Sequence, residues 1–166
     1  MNNLRKALVT GLGTGYLPLA PGSWASAAVV AIYLAVAWAS GGRDICVNGT
    51  LVLLALAAGV ACVALGPFAE QHFGKKDPGR NTADEWSGQA LALLLMPMDG
   101  NWNHRLMVAG VCFFLFRLFD SVKCFPIRRL EKLPLGWGVL LDDLAAALYA
   151  NAASQLLLRL WLLRHC

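Results

Sequence analysis

The chain has 166 residues, a length that suits a single domain spanning 1–166, and it is 58% hydrophobic but only 14% charged. Ordinary soluble domains lie near about 45–50% apolar and about 25% charged, so the composition points to a membrane protein. The net charge of +4 comes with no basic run interleaved with aromatics, which argues against a nucleic-acid partner. Its five cysteines form no C-x-x-C pair, which argues against a zinc site or a disulfide framework.

Arg5 and Lys6 open the chain, but the Gly- and Pro-rich run "GLGTGYLPLAPGSW" follows where a signal peptide would need an uninterrupted apolar stretch, so the N-terminus is expected to be retained. Five apolar segments come next. They run from about Trp24 to Ala39, Leu51 to Ala69 with Pro67 near its end, Trp86 to Met98, Leu106 to Phe119, and Leu144 to Leu163. Crossing the hydrocarbon takes about 20 residues, which the second and fifth meet and the first nearly meets. The third and fourth are short crossings or a re-entrant pair buried against the others. The pattern predicts an all-α, polytopic bundle with about three to five membrane-embedded helices.

If all five segments cross and the N-terminus is cytoplasmic, that side receives Arg5, Lys6, Lys75, Lys76, Arg80, Arg117, Lys123, Arg128, Arg129 and Lys132. The other side holds Arg43, Arg105 and Arg164. The positive-inside rule favours this orientation. The acids follow the same partition, although the rule does not require it: all but Asp44 and Asp99 fall on the cytoplasmic side.

Those acids form clusters at segment ends. Asp84 and Glu85 open the third segment in "NTADEWSGQ", Asp120 closes the fourth in "FRLFDSVK", and Asp142 and Asp143 open the fifth. Capping accounts for single acids at helix N-termini. It accounts less well for adjacent pairs and fails for Asp120, at a C-terminal end. Carboxylates gathered from several helices repel one another unless a cation joins them. Mg²⁺ suits such a set, taking carboxylates together with waters and substrate phosphate. Asp77 in "KKDPGRNTADE" is a further candidate ligand.

Cations lie beside the acids. Arg117, Asp120 and Lys123 share one helix face, and Arg128 and Arg129 follow Pro126. Arg117 sits in "FFLFRLF", where a charge at membrane depth needs a partner or a polar cavity. Arg and Lys suit phosphate. In the glycine loop, Gly15 could bring a backbone N–H to an anion and Ser23 could cap the helix behind it. The loop matches neither a dinucleotide fingerprint nor a P-loop. Cysteine-phosphatase chemistry is excluded, because Leu130 and Leu118 stand where C-x5-R would place arginine after Cys124 and Cys112.

Taken in order, "GLGTGYLPLAPGS", "DPGRNTADEWSGQ", "FRLFDSVKCFPIRRLE" and "GWGVLLDDLAAALYAN" resemble the bacterial phosphatidylglycerophosphatase A family over about Gly11 to Asn151. The resemblance implies an all-helical, Mg²⁺-dependent hydrolase of the inner membrane, with its site facing the cytoplasm, that removes the terminal phosphate of phosphatidylglycerophosphate. It maps the family's acid pair to Asp84 and Glu85, its R-x-x-D-x-x-K pattern to Arg117, Asp120 and Lys123, and its D-D pair to Asp142 and Asp143. Asp77 maps to the acid before the first pair. Cys124 stands where the family usually has Pro, Ala25 where it has Gly, and Ala147 where a Gly is common; no proposed ligand is lost. On this reading the five acids are catalytic and metal-binding, and Arg117, Lys123, Arg128, Gly15 and Ser23 meet the substrate. The acyl chains stay in the bilayer against segments such as the first and fifth. The competing reading is a small cation transporter or channel, which would place ionisable residues near mid-membrane rather than at one face.

Overall fold

The computed structural model describes residues 2–74, 80–97, 101–122, 127 and 136–165; Asp77, Lys123 and Arg128 lie outside them. The described chain folds into six α-helices with no strand. These are α1 (Asn2–Val9), α2 (Pro21–Ala39), α3 (Asp44–Phe73), α4 (Ala83–Ala92), α5 (Trp102–Val122) and α6 (Gly136–His165), with a 3-10 turn at Thr14–Tyr16. The all-helical class is as the apolar segments predicted.

The boundaries differ from the apolar segments, for local reasons. Helix α2 starts at Pro21, a residue whose fixed φ and missing N–H suit a first helical position. Helix α3 runs through Pro67 to Phe73 and stops at Gly74, which takes a left-handed conformation and donates its N–H to the Glu70 carbonyl at 2.9 Å. Helix α6 begins at Gly136, so Asp142 and Asp143 sit in its second turn and not at its mouth. Capping therefore does not account for this pair.

Helix α4 is the centre of the bundle. It has ten residues, of which Ala83, Asp84, Trp86, Ser87, Gly88, Gln89, Ala90 and Ala92 are buried. It packs against α2, α3, α5 and α6. A helix this short ends inside the protein, where its last carbonyls need partners. Asn151 of α6 supplies them, its side-chain amide donating to the carbonyls of Leu91, Ala92 and Leu94 at 3.2, 3.2 and 2.8 Å. Asn48 of α3 accepts from the Leu95 N–H at 2.8 Å. The third apolar segment is thus a short helix buried among its neighbours. Gly88 allows this closeness: a Cβ there would come within 2.6 Å of the Phe116 ring on α5 and 3.3 Å of the Asp143 carbonyl on α6.

The contacts set the direction of each helix. At one end, the N-termini of α2, α4 and α6 meet the C-terminus of α5, and Arg5 of α1 lies over Phe68 near the C-terminus of α3. At the other end, buried Arg105 near the start of α5 donates to the Ala37 carbonyl of α2 at 3.1 Å, and His104 stacks on Trp161 near the end of α6. Successive helices from α2 to α6 alternate in direction. Two helices, α2 and α3, are long and apolar enough to cross a membrane, yet only 33% and 22% of their apolar windows are buried inside the protein. A core helix of a soluble protein would be mostly covered.

Candidate active site

Alternation of the helices brings the acid clusters together. Asp84 and Glu85 from the first turn of α4, Asp120 from the last turn of α5, and Asp142 and Asp143 from α6 line one cavity of about 290 Å³. Gly22, Asn81, Thr82, Ser121 and Val139 complete its wall. All five acids singled out in the sequence share this cavity.

Burial and mutual repulsion govern the carboxylates. Asp84, Asp142 and Asp143 are 6%, 4% and 4% exposed. Burial raises the Asp143 carboxyl well above its ordinary range, and the charges of Asp84, Glu85, Asp120 and Asp142 raise it further. Its Oδ2 is buried with no hydrogen-bond partner among the described residues, while its backbone N–H donates to Asp142 Oδ1 at 3.0 Å. Burial also pushes the Glu85 carboxyl up to about 7, against the opposing pull of Arg117.

Arg117 is the positive charge tied into this group. Its Nη1 donates to Glu85 Oε2 and lies 3.2 Å from Asp120 Oδ2, one turn along the same helix. The guanidinium, on the apolar helix α5, is thereby paired on two sides. Gly22, in the first turn of α2, lies against this pair. A Cβ there would collide with the Glu85 carboxylate and come within 3.2 Å of Arg117 Nη1.

The glycine loop packs against the segment that leads into α4. The α-carbon of Gly15 lies against the Arg80 carbonyl. Thr14 and Thr82 hydroxyls are 3.1 Å apart, and the Thr82 N–H donates to the Val9 carbonyl at 3.0 Å. The loop buttresses the Asn81–Thr82 approach to α4 and so positions Asp84 and Glu85. Neither Gly15 nor Ser23 is among the residues that line the cavity.

Sequence reasoning passed over Gly22, Asn81, Thr82, Ser121 and Val139. Asn81 and Thr82 directly precede the first acid pair and Ser121 follows Asp120, so proximity was the available signal for three of them. Gly22 and Val139 enter only through tertiary packing.

The donor set is suited to a hard divalent cation: buried carboxylate oxygens, one of them orphaned, crowded enough to raise one another's proton affinity. It is not a closed cage. Among the described residues no three His, Cys, Asp or Glu side chains are close enough to hold an ion directly. An ion here would rest on one or two carboxylates and complete its shell with water and phosphate, which is the habit of Mg²⁺.

The sequence profile of phosphatidylglycerophosphatase A matches residues 7–158. A phosphatidylglycerophosphatase A of Haemophilus influenzae is 33% identical over 86% of this chain and 82% of its own length. Its counterpart in Escherichia coli is 28% identical over 88% and 78%. A Bacteroides thetaiotaomicron protein provisionally named a phosphatidylinositol-3-phosphatase is 32% identical over 85% of both chains. No solved structure matches significantly. With its four motifs in order and the family profile spanning nearly all of its length, this chain belongs to the phosphatidylglycerophosphatase A family.

Proposed function

We propose that the chain is a Mg²⁺-dependent lipid phosphatase of the bacterial inner membrane that converts phosphatidylglycerophosphate to phosphatidylglycerol and inorganic phosphate. The observation that carries this reading is the cavity lined by Asp84, Glu85, Asp120, Asp142 and Asp143, together with membership of the family. Among the described residues five carboxylates stand against one arginine, a balance that would repel a phosphomonoester, itself an anion. A divalent cation held by some of these carboxylates, with Asp142 and Asp143 foremost, reverses that repulsion and polarises the phosphoryl oxygens.

The chain's own residues account for the remaining chemistry. Arg117, oriented by Glu85 and Asp120, is a preorganised donor for charge that grows on the phosphoryl group. A carboxylate of the cavity that does not hold the cation is suited to take a proton from attacking water. Lys123 and Arg128 join the phosphate-binding group and Asp77 the ligand set by the motif correspondence. Gly15 supports the site through the loop it packs.

Membrane embedding of α2, α3, α5 and α6, with α4 buried among them, is supported by apolar side chains left bare on their outer faces. Leu53, Leu56 and Val60 of α3, Phe114 of α5 and Leu148 and Leu156 of α6 are all more than half exposed. The chain enters the carboxylate end through α1 and leaves α3 and α5 there into lysine- and arginine-rich connections, which supports a cytoplasmic assignment of that end. Ionisable clusters at one face favour surface chemistry over ion transit.

The test is phosphate release in mixed micelles from phosphatidylglycerophosphate and, in parallel, from phosphatidylinositol 3-phosphate. Faster Mg²⁺-dependent release from the first supports the assignment. Preference for the second keeps the phosphatase and moves the substrate. No release from either removes the activity.

A further inference from the structure

A second feature lies beside the carboxylate cavity. Between α3 and α6 runs an open apolar groove of about 560 Å³, walled by Leu56, Gly59 and Val60 on one side and Leu140 and Leu144 on the other, with Leu91 of α4 in its floor. The hydroxyl of Ser87, the polar side chain in the floor, is occupied, donating to the Ala55 carbonyl at 2.9 Å. Half-exposed Trp137 stands at the cytoplasmic mouth, the level at which indoles mark the membrane interface.

Two observations identify the occupant. The groove and the cavity lie on adjacent faces of one stretch of α6: Val139, Asp142 and Asp143 face the cavity, while Leu140 and Leu144 face the groove. Helix α4 repeats the arrangement, with Asp84 and Glu85 on the cavity and Ser87 and Leu91, further along, on the groove. The groove follows α3 from Ala55 to Ala64, which at 1.5 Å per residue is roughly 14 Å. That is about half of a hydrocarbon core some 30 Å thick, the depth of one leaflet.

We propose that the groove holds one acyl chain of the lipid whose phosphate enters the carboxylate cavity, so that headgroup and chain are gripped on two sides of the same turn of α6. The inference rests on the lipid-phosphatase reading and deepens it. It moves the chain contact from α2 and α6, as the sequence suggested, to α3 and α6. It also gives a physical source for selecting a membrane lipid over a water-soluble phosphomonoester, because the apolar contacts exist only for a long chain.

The test fills the groove. Gly59→Leu projects into it, since a Cβ at that position meets the Ser87 hydroxyl at 3.3 Å and Leu140 at 3.6 Å. Ala64→Phe fills its mouth, near Trp137, from an exposed position and spares the packing. Both are compared with wild type on dipalmitoyl and dihexanoyl phosphatidylglycerophosphate. The expected result is a KM for the long-chain lipid raised by about 10-fold, with kcat within about 2-fold and the short-chain kcat/KM unchanged. An unchanged long-chain KM in both variants, or equal losses on both substrates in Ala64→Phe, overturns the proposal.

A second readout does not need turnover. A phosphatidylglycerophosphate carrying a diazirine on one acyl chain should label residues 55–64 and 140–144, and unlabelled phosphatidylglycerophosphate should compete while phosphatidylcholine does not. Equal labelling by a phosphatidylcholine probe would mean bulk lipid occupies the groove and would overturn the proposal. Selective labelling by a protein that releases no phosphate would sink the phosphatase reading and leave the groove as a lipid-phosphate site.

Discussion

Arg117 on α5 holds two carboxylates at once, Glu85 from α4 and Asp120 from its own helix, the latter at 3.2 Å. The pairing ties α4 and α5 together through two carboxylates of the cavity wall, Arg117 itself standing behind them. Replacing Arg117 by Met should lower kcat/KM by at least about 100-fold, the scale of a lost electrostatic donor in a catalytic site. Arg117→Lys should recover only part of this, because an ammonium cannot reproduce the two-sided fork. A Glu85→Gln and Arg117→Met double-mutant cycle on folding stability should show coupling of about 0.5–3 kcal/mol. Strict additivity would mean that the two side chains do not meet.

Gly22 lies where any side chain would strike the Glu85 carboxylate. Gly22→Ala should therefore displace the Glu85–Arg117 pair and reduce activity by about 10-fold or more, a small misplacement being expensive at a reacting centre. Ser23→Ala, one residue on but off the cavity wall, should change kcat/KM by less than about 3-fold. The ranking of the two variants under identical assay conditions is the check.

How much of this was legible beforehand differs from residue to residue. The five acids were found because adjacent carboxylates are costly in so apolar a chain unless a cation or a base holds them, and helix alternation is enough to gather them at one end. Segment positions were found by hydropathy. Their ends were not, because boundaries depend on local backbone features: Pro21 starting α2 and the left-handed Gly74 ending α3. That the third segment is short was legible in its apolar run; that its helix ends at Ala92 was not, because the partner closing its carbonyls, the Asn151 amide, comes from another helix. Gly15 was read as a phosphate contact on the strength of a glycine-rich pattern. Its packing against the Arg80 carbonyl is a long-range relationship that no local pattern encodes.

The crowded carboxylates are maintained at a cost in stability. Asp143 is buried and repelled by four other acids, and its Oδ2 has no hydrogen-bond partner among the described residues. Asp143→Asn removes a carboxyl whose ionisation its neighbours oppose, so in EDTA, at a pH high enough to ionise it, the variant should melt at a higher temperature than wild type by roughly 2–4 °C, about 1 kcal/mol in a chain of this size. Adding millimolar Mg²⁺ should raise the wild-type melting temperature and leave Asp143→Asn nearly unmoved. Scanning calorimetry or a thermal shift in detergent measures both. A variant less stable than wild type in EDTA would contradict the repulsion argument.

The orientation can be read from a native residue. Cys46 is exposed in the first turn of α3, at the end opposite the carboxylates. In a chain whose other cysteines are changed to Ser or Ala, a membrane-impermeant maleimide added to intact cells should label Cys46. A cysteine placed at exposed Arg80, at the carboxylate end, should react only after the cells are opened. The reversed pattern would put the site on the outer face.

The central claim is that the carboxylate cavity cleaves a lipid phosphate with the help of a divalent cation, and one titration tests it directly. Inorganic phosphate release from phosphatidylglycerophosphate in mixed micelles is followed against Mg²⁺ concentration for wild type and for Asp142→Asn, with circular dichroism confirming that both are folded. The account predicts saturable Mg²⁺ activation of wild type, abolition by EDTA, and a loss of at least about 100-fold in Asp142→Asn across the titration. Full wild-type activity in EDTA, or an Asp142→Asn enzyme as active as wild type, would contradict it.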